Sequence, residues 1–102
     1  MIAKVLFEKE DKSMVEMLFG TSHKGSWQKF YRMYTTKFPH LKPLSLSISQ
    51  EEWPVEGGFN WCPTAIIQQE LNTLSEKYKL RTRTFYKFIF KTLSVDYLNR
   101  LP

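Results

Sequence analysis

The chain has little of what small proteins use for covalent stapling or membrane anchoring. Its 102 residues include one cysteine, Cys62, so an internal disulfide cannot form, and such cysteine usage is typical of a reducing compartment. Its apolar runs are much shorter than the roughly 18 to 20 residues that span a membrane, and the N-terminal apolar runs are short and end at the charged stretch 8–12. We therefore expect no signal peptide, no membrane partner, and a location in the cytoplasm of the producing cell or of a host cell.

The residue types that build catalytic and metal sites are also scarce. His23, His40 and Cys62 are far apart in the sequence, and no Cys/His pair has the spacing of zinc ligands. The one glycine pair, at 57–58, lacks the residues of a phosphate-binding loop. Residues 10–12 have the acid-x-Lys spacing of some metal-dependent nucleases, but a three-residue match often arises by chance. The sequence therefore predicts a protein that is not an enzyme and binds no metal and no cofactor.

Aromatic residues, by contrast, are abundant. They make up 16% of the chain, within a composition that is 42% hydrophobic and 25% charged. These fractions are typical of globular proteins, and large rings bury much area per residue. The sequence therefore predicts a single domain over residues 1–102 that can build a core.

Charge is sorted into blocks along the chain. The net charge of +5 consists of +4 in residues 1–43, −5 in residues 44–76 and +6 in residues 77–102. The stretches 24–42 and 77–91 contain basic residues and no acidic ones. A basic patch attracts phosphate groups or acidic protein surfaces. The alternative is that the acidic middle folds against the basic ends and neutralises them.

Two stretches have the pattern of main strands. Residues 2–9 are rich in β-branched and large apolar residues. Residues 44–49 alternate Leu or Ile with Ser without a fault. We expect the serine face of this second strand to lie in water or at a polar contact.

Four helices are predicted between and after these strands. The first covers residues 13–19, where Ser13 and Glu16 have capping-box spacing and Gly20 suits the end of a helix. The second begins after Ser26, the third runs from Pro63 to about residue 80, and the fourth lies in the last quarter. On the second helix, aromatic residues with helical spacing form one stripe: Trp27, Phe30, Tyr31, Tyr34 and Phe38. Residues 81–91 also fit a strand that ends near Lys91 and is followed by a short helix.

The expected fold is therefore α+β, a small single domain with two main β-strands and about four helices. With a helical last quarter, the chain contains a β-α-α unit twice. Such a pseudo-repeat would divide the chain into halves 1–43 and 44–102, with a groove between them.

One candidate binding segment is the acidic-aromatic loop, residues 51–62. Its candidate protein-binding residues are Trp53, Glu56, Phe59 and Trp61. Aromatic anchors are typical of interface hot spots. The alternative is that Trp53 and Trp61 attach the loop to the core.

The other candidate segment is the basic stretch 77–91, in which cations alternate with aromatic rings. Its candidate nucleic-acid-binding residues are Lys77, Lys79, Arg81, Arg83, Lys87 and Lys91. Cations that follow phosphates beside rings that stack on bases are typical of single-strand binding. The alternative is that the rings belong to the core and the cations extend over them into solvent.

These features together favour a small non-enzymatic binding module. The favoured partner is another protein or a peptide, bound in a groove between the halves or by the loop 51–62, as in a viral or mobile-element accessory protein. The alternative is a nucleic-acid-binding protein that uses the stretches 24–42 and 77–91. The sequence does not set the oligomeric state.

Overall fold

An antiparallel β-sheet is the framework of the protein. The computed structural model describes residues 1–21, 25–54, 60–69 and 88–101. Within these ranges there are five strands and three helices. They are β1 (Ile2–Glu8), β2 (Met14–Gly20), α1 (Trp27–Lys37), β3 (Lys42–Ser49), β4 (Trp61–Pro63), α2 (Thr64–Gln69), β5 (Lys91–Leu93) and α3 (Asp96–Asn99). The strand order is β4-β2-β1-β3-β5, and every neighbouring pair is antiparallel.

This architecture contradicts the predicted α+β fold of two main strands and four helices. The described part of the chain is mostly sheet, and its three helices are short. The β-α-α pseudo-repeat is wrong as well, because the chain begins β-β-α. The sequence predicts a helix over residues 13–19, before helix α1, and that segment is strand β2.

Strand β2 is where the helix prediction failed. It pairs with β1 along its whole length, from Ile2 opposite Gly20 to Glu8 opposite Met14. Ser13 does not cap a helix, since its backbone N–H donates to Asp11 Oδ1 at 3.0 Å in the turn between the strands. The turn also holds Lys12 at a φ of 70°. Residues 1–20 therefore form a β-hairpin.

Three other predicted elements are confirmed. Strand β1 matches the strand predicted over residues 2–9, and β3 includes the alternating Leu-Ser segment. Helix α1 begins after Ser26, whose backbone is extended although its side chain makes no capping hydrogen bond. Ser49 lies at a polar contact, because its Oγ accepts the N–H of Glu51 at 3.2 Å.

The predicted helix from Pro63 to residue 80 is only partly described. Pro63 belongs to strand β4, and the helix that follows is described over Thr64–Gln69. Residues 70–87 lie outside the described ranges, so the choice between strand and helix for residues 81–87 stays open. Lys91 begins strand β5 rather than ending a strand, and the short helix α3 follows it.

The sheet has a buried cluster on each face. The cluster on the front face, which α1 and α3 cover, consists of Ala3, Val5, Phe7, Met17, Phe19, Trp27, Tyr31, Tyr34, Leu46 and Leu98. The cluster on the back face consists of Ile2, Leu18, Trp53, Cys62 and Ile67. The sheet is therefore an interior layer, and its strands carry buried residues on both sides.

Candidate functional site

A groove of about 640 Å³ opens beside the first turn of α1. Its walls come from the start of β1, the end of β3, strand β5 and helix α3. The residues that line it are Met1, Trp27, Gln28, Ile48, Gln50, Glu51, Ile89, Lys91, Leu93 and Tyr97. The groove therefore lies between residues from the first 43 positions and residues from the rest of the chain.

The groove exposes three large apolar side chains. Met1 is 53% exposed, Ile89 79% and Tyr97 43%. Below them, the buried ring of Trp27 lies 6.3 Å from the ring of Tyr97, centroid to centroid. Exposed apolar side chains that gather at one place on a small protein are typical of an interaction site.

The polar groups of the groove differ in whether they have partners. Glu51 Oε1 accepts the backbone N–H of Ile89 at 3.1 Å, which ties the chain before β5 to the end of β3. The side-chain oxygen of Gln28 is buried and has no hydrogen-bond partner among the described residues. A buried acceptor without a donor lowers stability.

The predicted protein-binding residues do not come together on one surface. Trp53 is fully buried in the back-face cluster. Trp61 is half-buried in strand β4 and packs on the front face, where its ring centroid lies 5.8 Å from that of Tyr34. Glu56 and Phe59 lie in residues 55–59, outside the described ranges.

Most of the predicted nucleic-acid-binding residues also lie outside the described ranges. These are Lys77, Lys79, Arg81, Arg83 and Lys87. Lys91 is described, exposed, and lines the groove. From the other basic stretch, Lys29, Arg32 and Lys37 are exposed on α1, a helix with no acidic residue.

The nucleophile and metal-ligand candidates are placed unfavourably for chemistry. Cys62 is buried, and burial raises the pKa of its thiol to about 11, so the thiol is protonated at neutral pH. Hydrogen bonds from Ser13 lower the pKa of the Asp11 carboxyl in the β1–β2 turn. Among the residues described, no group of three or more His, Cys, Asp or Glu could hold a metal ion.

Another apolar surface lies at the opposite end of α1. Phe38 is 44% exposed there, next to Tyr34, Leu41 and Trp61. Lys37 lies over the ring of Phe38, with 5.9 Å from Nζ to the ring centroid. The cavity on this surface has a volume of about 520 Å³. Its floor is the same aromatic cluster that holds α1 on the sheet.

Sequence reasoning missed most of the groove. The fold brings together four lining residues that are far apart in the sequence: Gln28, Ile89, Leu93 and Tyr97. The available signal was weak: Ile89 is an apolar residue within a basic stretch, and it carries no pattern of its own.

Comparison of the chain with protein-family models, with curated proteins and with solved structures found no match. Within the described ranges, no helix has the length and apolar character needed to cross a membrane.

Proposed function

We propose that this protein is a non-enzymatic binding module that holds part of a partner protein in the groove beside α1. The observation that carries the proposal is the exposure of Met1, Ile89 and Tyr97 around the buried ring of Trp27. The volume of about 640 Å³ falls within the range of roughly 300 to 1,000 Å³ common for binding pockets.

A selection with a random peptide library would test this proposal. We expect the protein to enrich a family of related peptides. A synthetic member should bind the Ile89→Asp variant at least about tenfold more weakly, because a charge at the groove opposes burial of an apolar anchor. Ile89 is 79% exposed, so the substitution should leave folding intact.

Met33→Asp is the matched control for this experiment. Met33 is 48% exposed on α1 and is not a lining residue of the groove. This variant should bind the selected peptide as the unaltered protein does, with both variants melting cooperatively. Equal binding by the Ile89→Asp variant, or no enriched peptide at all, would contradict the proposal.

Nucleic-acid binding is the second candidate function. The observation that favours it is the exposure of Lys29, Arg32 and Lys37 on α1, which has no acidic residue. It ranks second because most aromatic rings of this region are occupied by packing: Tyr31 and Tyr34 are buried on the front face, and only Phe38, beside Lys37, is largely exposed among the described rings of the stripe. A surface of cations with one accessible ring binds phosphates but stacks few bases.

A further inference from the structure

Strand β5 is an open edge of the sheet beside the groove. It covers Lys91–Leu93 and pairs with β3. Within the described ranges, no strand lies beyond it, and both Lys91 and Thr92 are exposed. An exposed edge strand presents backbone groups that can pair with another chain.

The register shows which backbone groups of β5 face outward. The N–H of Gly20 donates to the carbonyl oxygen of Asn60 at 3.0 Å, so Gly20 faces the β4 side of β2. Successive residues of an antiparallel strand direct their backbone groups to opposite sides. Following the pairs across β2, β1 and β3 directs the backbone groups of Lys91 and Leu93 toward β3. The N–H and C=O of Thr92 therefore point away from the sheet.

The side chains of Lys91 and Leu93, on either side of Thr92, would be the neighbours of an added strand on the front face. Lys91 pairs with Ile48 and Leu93 with Leu46, so both belong to the front face. Both also line the groove. A strand added beyond β5 would place two of its side chains, separated by one residue, directly beside Lys91 and Leu93.

The chemistry of these two positions differs. Lys91 is exposed and forms no ion pair with any described residue. A carboxylate beside Lys91 is therefore favoured by the charge of this side chain. Leu93 is half-buried and lines the groove with Tyr97, which favours a large apolar side chain.

We infer that the partner segment binds as an extended antiparallel strand added to the edge of β5. Its groove-facing side chains are a large apolar residue beside Leu93 and, two positions later, an acidic residue beside Lys91. This inference rests on the proposed function, because it specifies how a protein segment occupies the groove.

A short peptide can serve as the probe. The sequence is Ser-Thr-Leu-Thr-Glu-Thr-Ser, acetylated and amidated, in which the central Thr lies opposite Thr92. In a nuclear magnetic resonance titration to about 1 mM peptide, which detects weak binding, we expect saturable shifts of the Thr92 and Leu93 amide signals. The same peptide with Lys in place of Glu should bind at least about fivefold more weakly, because its charge opposes that of Lys91.

Two changes test the backbone hydrogen bonds themselves. Thr92→Pro removes the outward N–H and leaves the pairs of Lys91 and Leu93 with β3, so its affinity should fall at least about tenfold. Thr92→Val is the matched control, since it keeps the N–H, and it should bind as Thr92 does. A peptide methylated on the nitrogen of the central Thr should lose a similar factor, and it tests the pairing even where Thr92→Pro fails to fold.

The outcomes separate this inference from the proposed function. If Ile89→Asp abolishes binding of the probe while Thr92→Pro and the methylated peptide have no effect, the groove binds without strand addition and the inference is overturned. No saturable shift at about 1 mM, or a preference for the Lys peptide, overturns it as well. The proposed function would then depend on the library selection alone.

Discussion

The backbone of Gly20 lies against the ring of Trp53 on the back face of the sheet. A Cβ atom at Gly20 would lie 2.6 Å from Cε3 and 2.9 Å from Cδ2 of Trp53. Both atoms belong to the fused ring of a fully buried residue, which cannot turn aside as a flexible side chain would. The glycine is therefore needed for close approach within a strand, and not for the end of a helix as its sequence position suggested.

Gly20→Ala tests this contact. We expect the free energy of unfolding to fall by about 1–3 kcal/mol, the usual effect of overpacking a well-filled core. Urea denaturation measures it. In a Trp53→Leu background the same substitution should have a smaller effect, because the clashing ring is gone. An equal effect in both backgrounds would show that the ring is not the cause.

Two buried tyrosines, Tyr31 and Tyr34, attach helix α1 to the rings of the sheet, and Tyr34 makes the wider set of contacts. The ring of Tyr34 lies 5.7 Å from that of Phe7, 5.4 Å from Phe19, 4.9 Å from Phe38 and 5.8 Å from Trp61, centroid to centroid. Aromatic pairs at these separations add to the stabilisation from buried area. Tyr34 thus connects the helix to β1, β2 and β4 at once.

Substitution of this residue should therefore loosen the whole helix. We expect Tyr34→Ala to lower the free energy of unfolding by about 3–5 kcal/mol, as for large-to-small changes of buried aromatic residues. Phe38→Ala, at a position that is 44% exposed, should have a clearly smaller effect. Thermal or urea unfolding of both variants compares them, and similar losses would contradict this role for Tyr34.

The elements that sequence patterns predicted are those with one clear periodicity. The alternation over residues 44–49 and the aromatic stripe of α1 identify β3 and α1, since the apolar side chains of each recur on one face. In β2, the consecutive residues Met17, Leu18 and Phe19 are all buried, on alternating faces. A continuous apolar run fits a buried strand or a helix equally well. The short spacing of Ser13 and Glu16 then favoured the wrong choice.

The site was harder to predict than the fold. Strands β4 and β5 have three residues each, too few to show an alternation. Trp53 and Trp61 occupy one segment of sequence, yet they pack on opposite faces of the sheet. The prediction that the loop 51–62 forms a recognition surface therefore depended on how Trp53 and Trp61 pack in the folded protein. That packing has no sequence pattern of its own.

The charge blocks of the whole molecule spread over several sides of the fold. Lys29, Arg32 and Lys37 are exposed on α1, and Lys91 lies at the β5 edge. Lys4 lies on the back face, with its Nζ 4.3 Å from the ring centroid of Phe90. Of these cations, Lys29, Arg32 and Lys37 share one element. A phosphate backbone that follows α1 would therefore meet at most these three cations of the helix.

This count sets the salt dependence of the second candidate function. If α1 binds single-stranded DNA, three phosphate contacts predict a loss of affinity of roughly 20-fold between 50 and 200 mM salt. Fluorescence polarisation with a labelled oligonucleotide measures it, and Lys29→Glu with Arg32→Glu should abolish binding. No binding at 50 mM salt would remove this candidate and leave the groove unaffected.

The strand order also determines where the sheet is weakest. The central strand β1 has seven paired positions with each neighbour, whereas β4 and β5 have three each. Short edge strands can open locally at a lower free energy than global unfolding requires. The proposed recognition edge therefore belongs to a part of the sheet that opens readily. A partner strand would place β5 between two neighbouring strands. Binding of the partner would therefore also slow the local opening of β5.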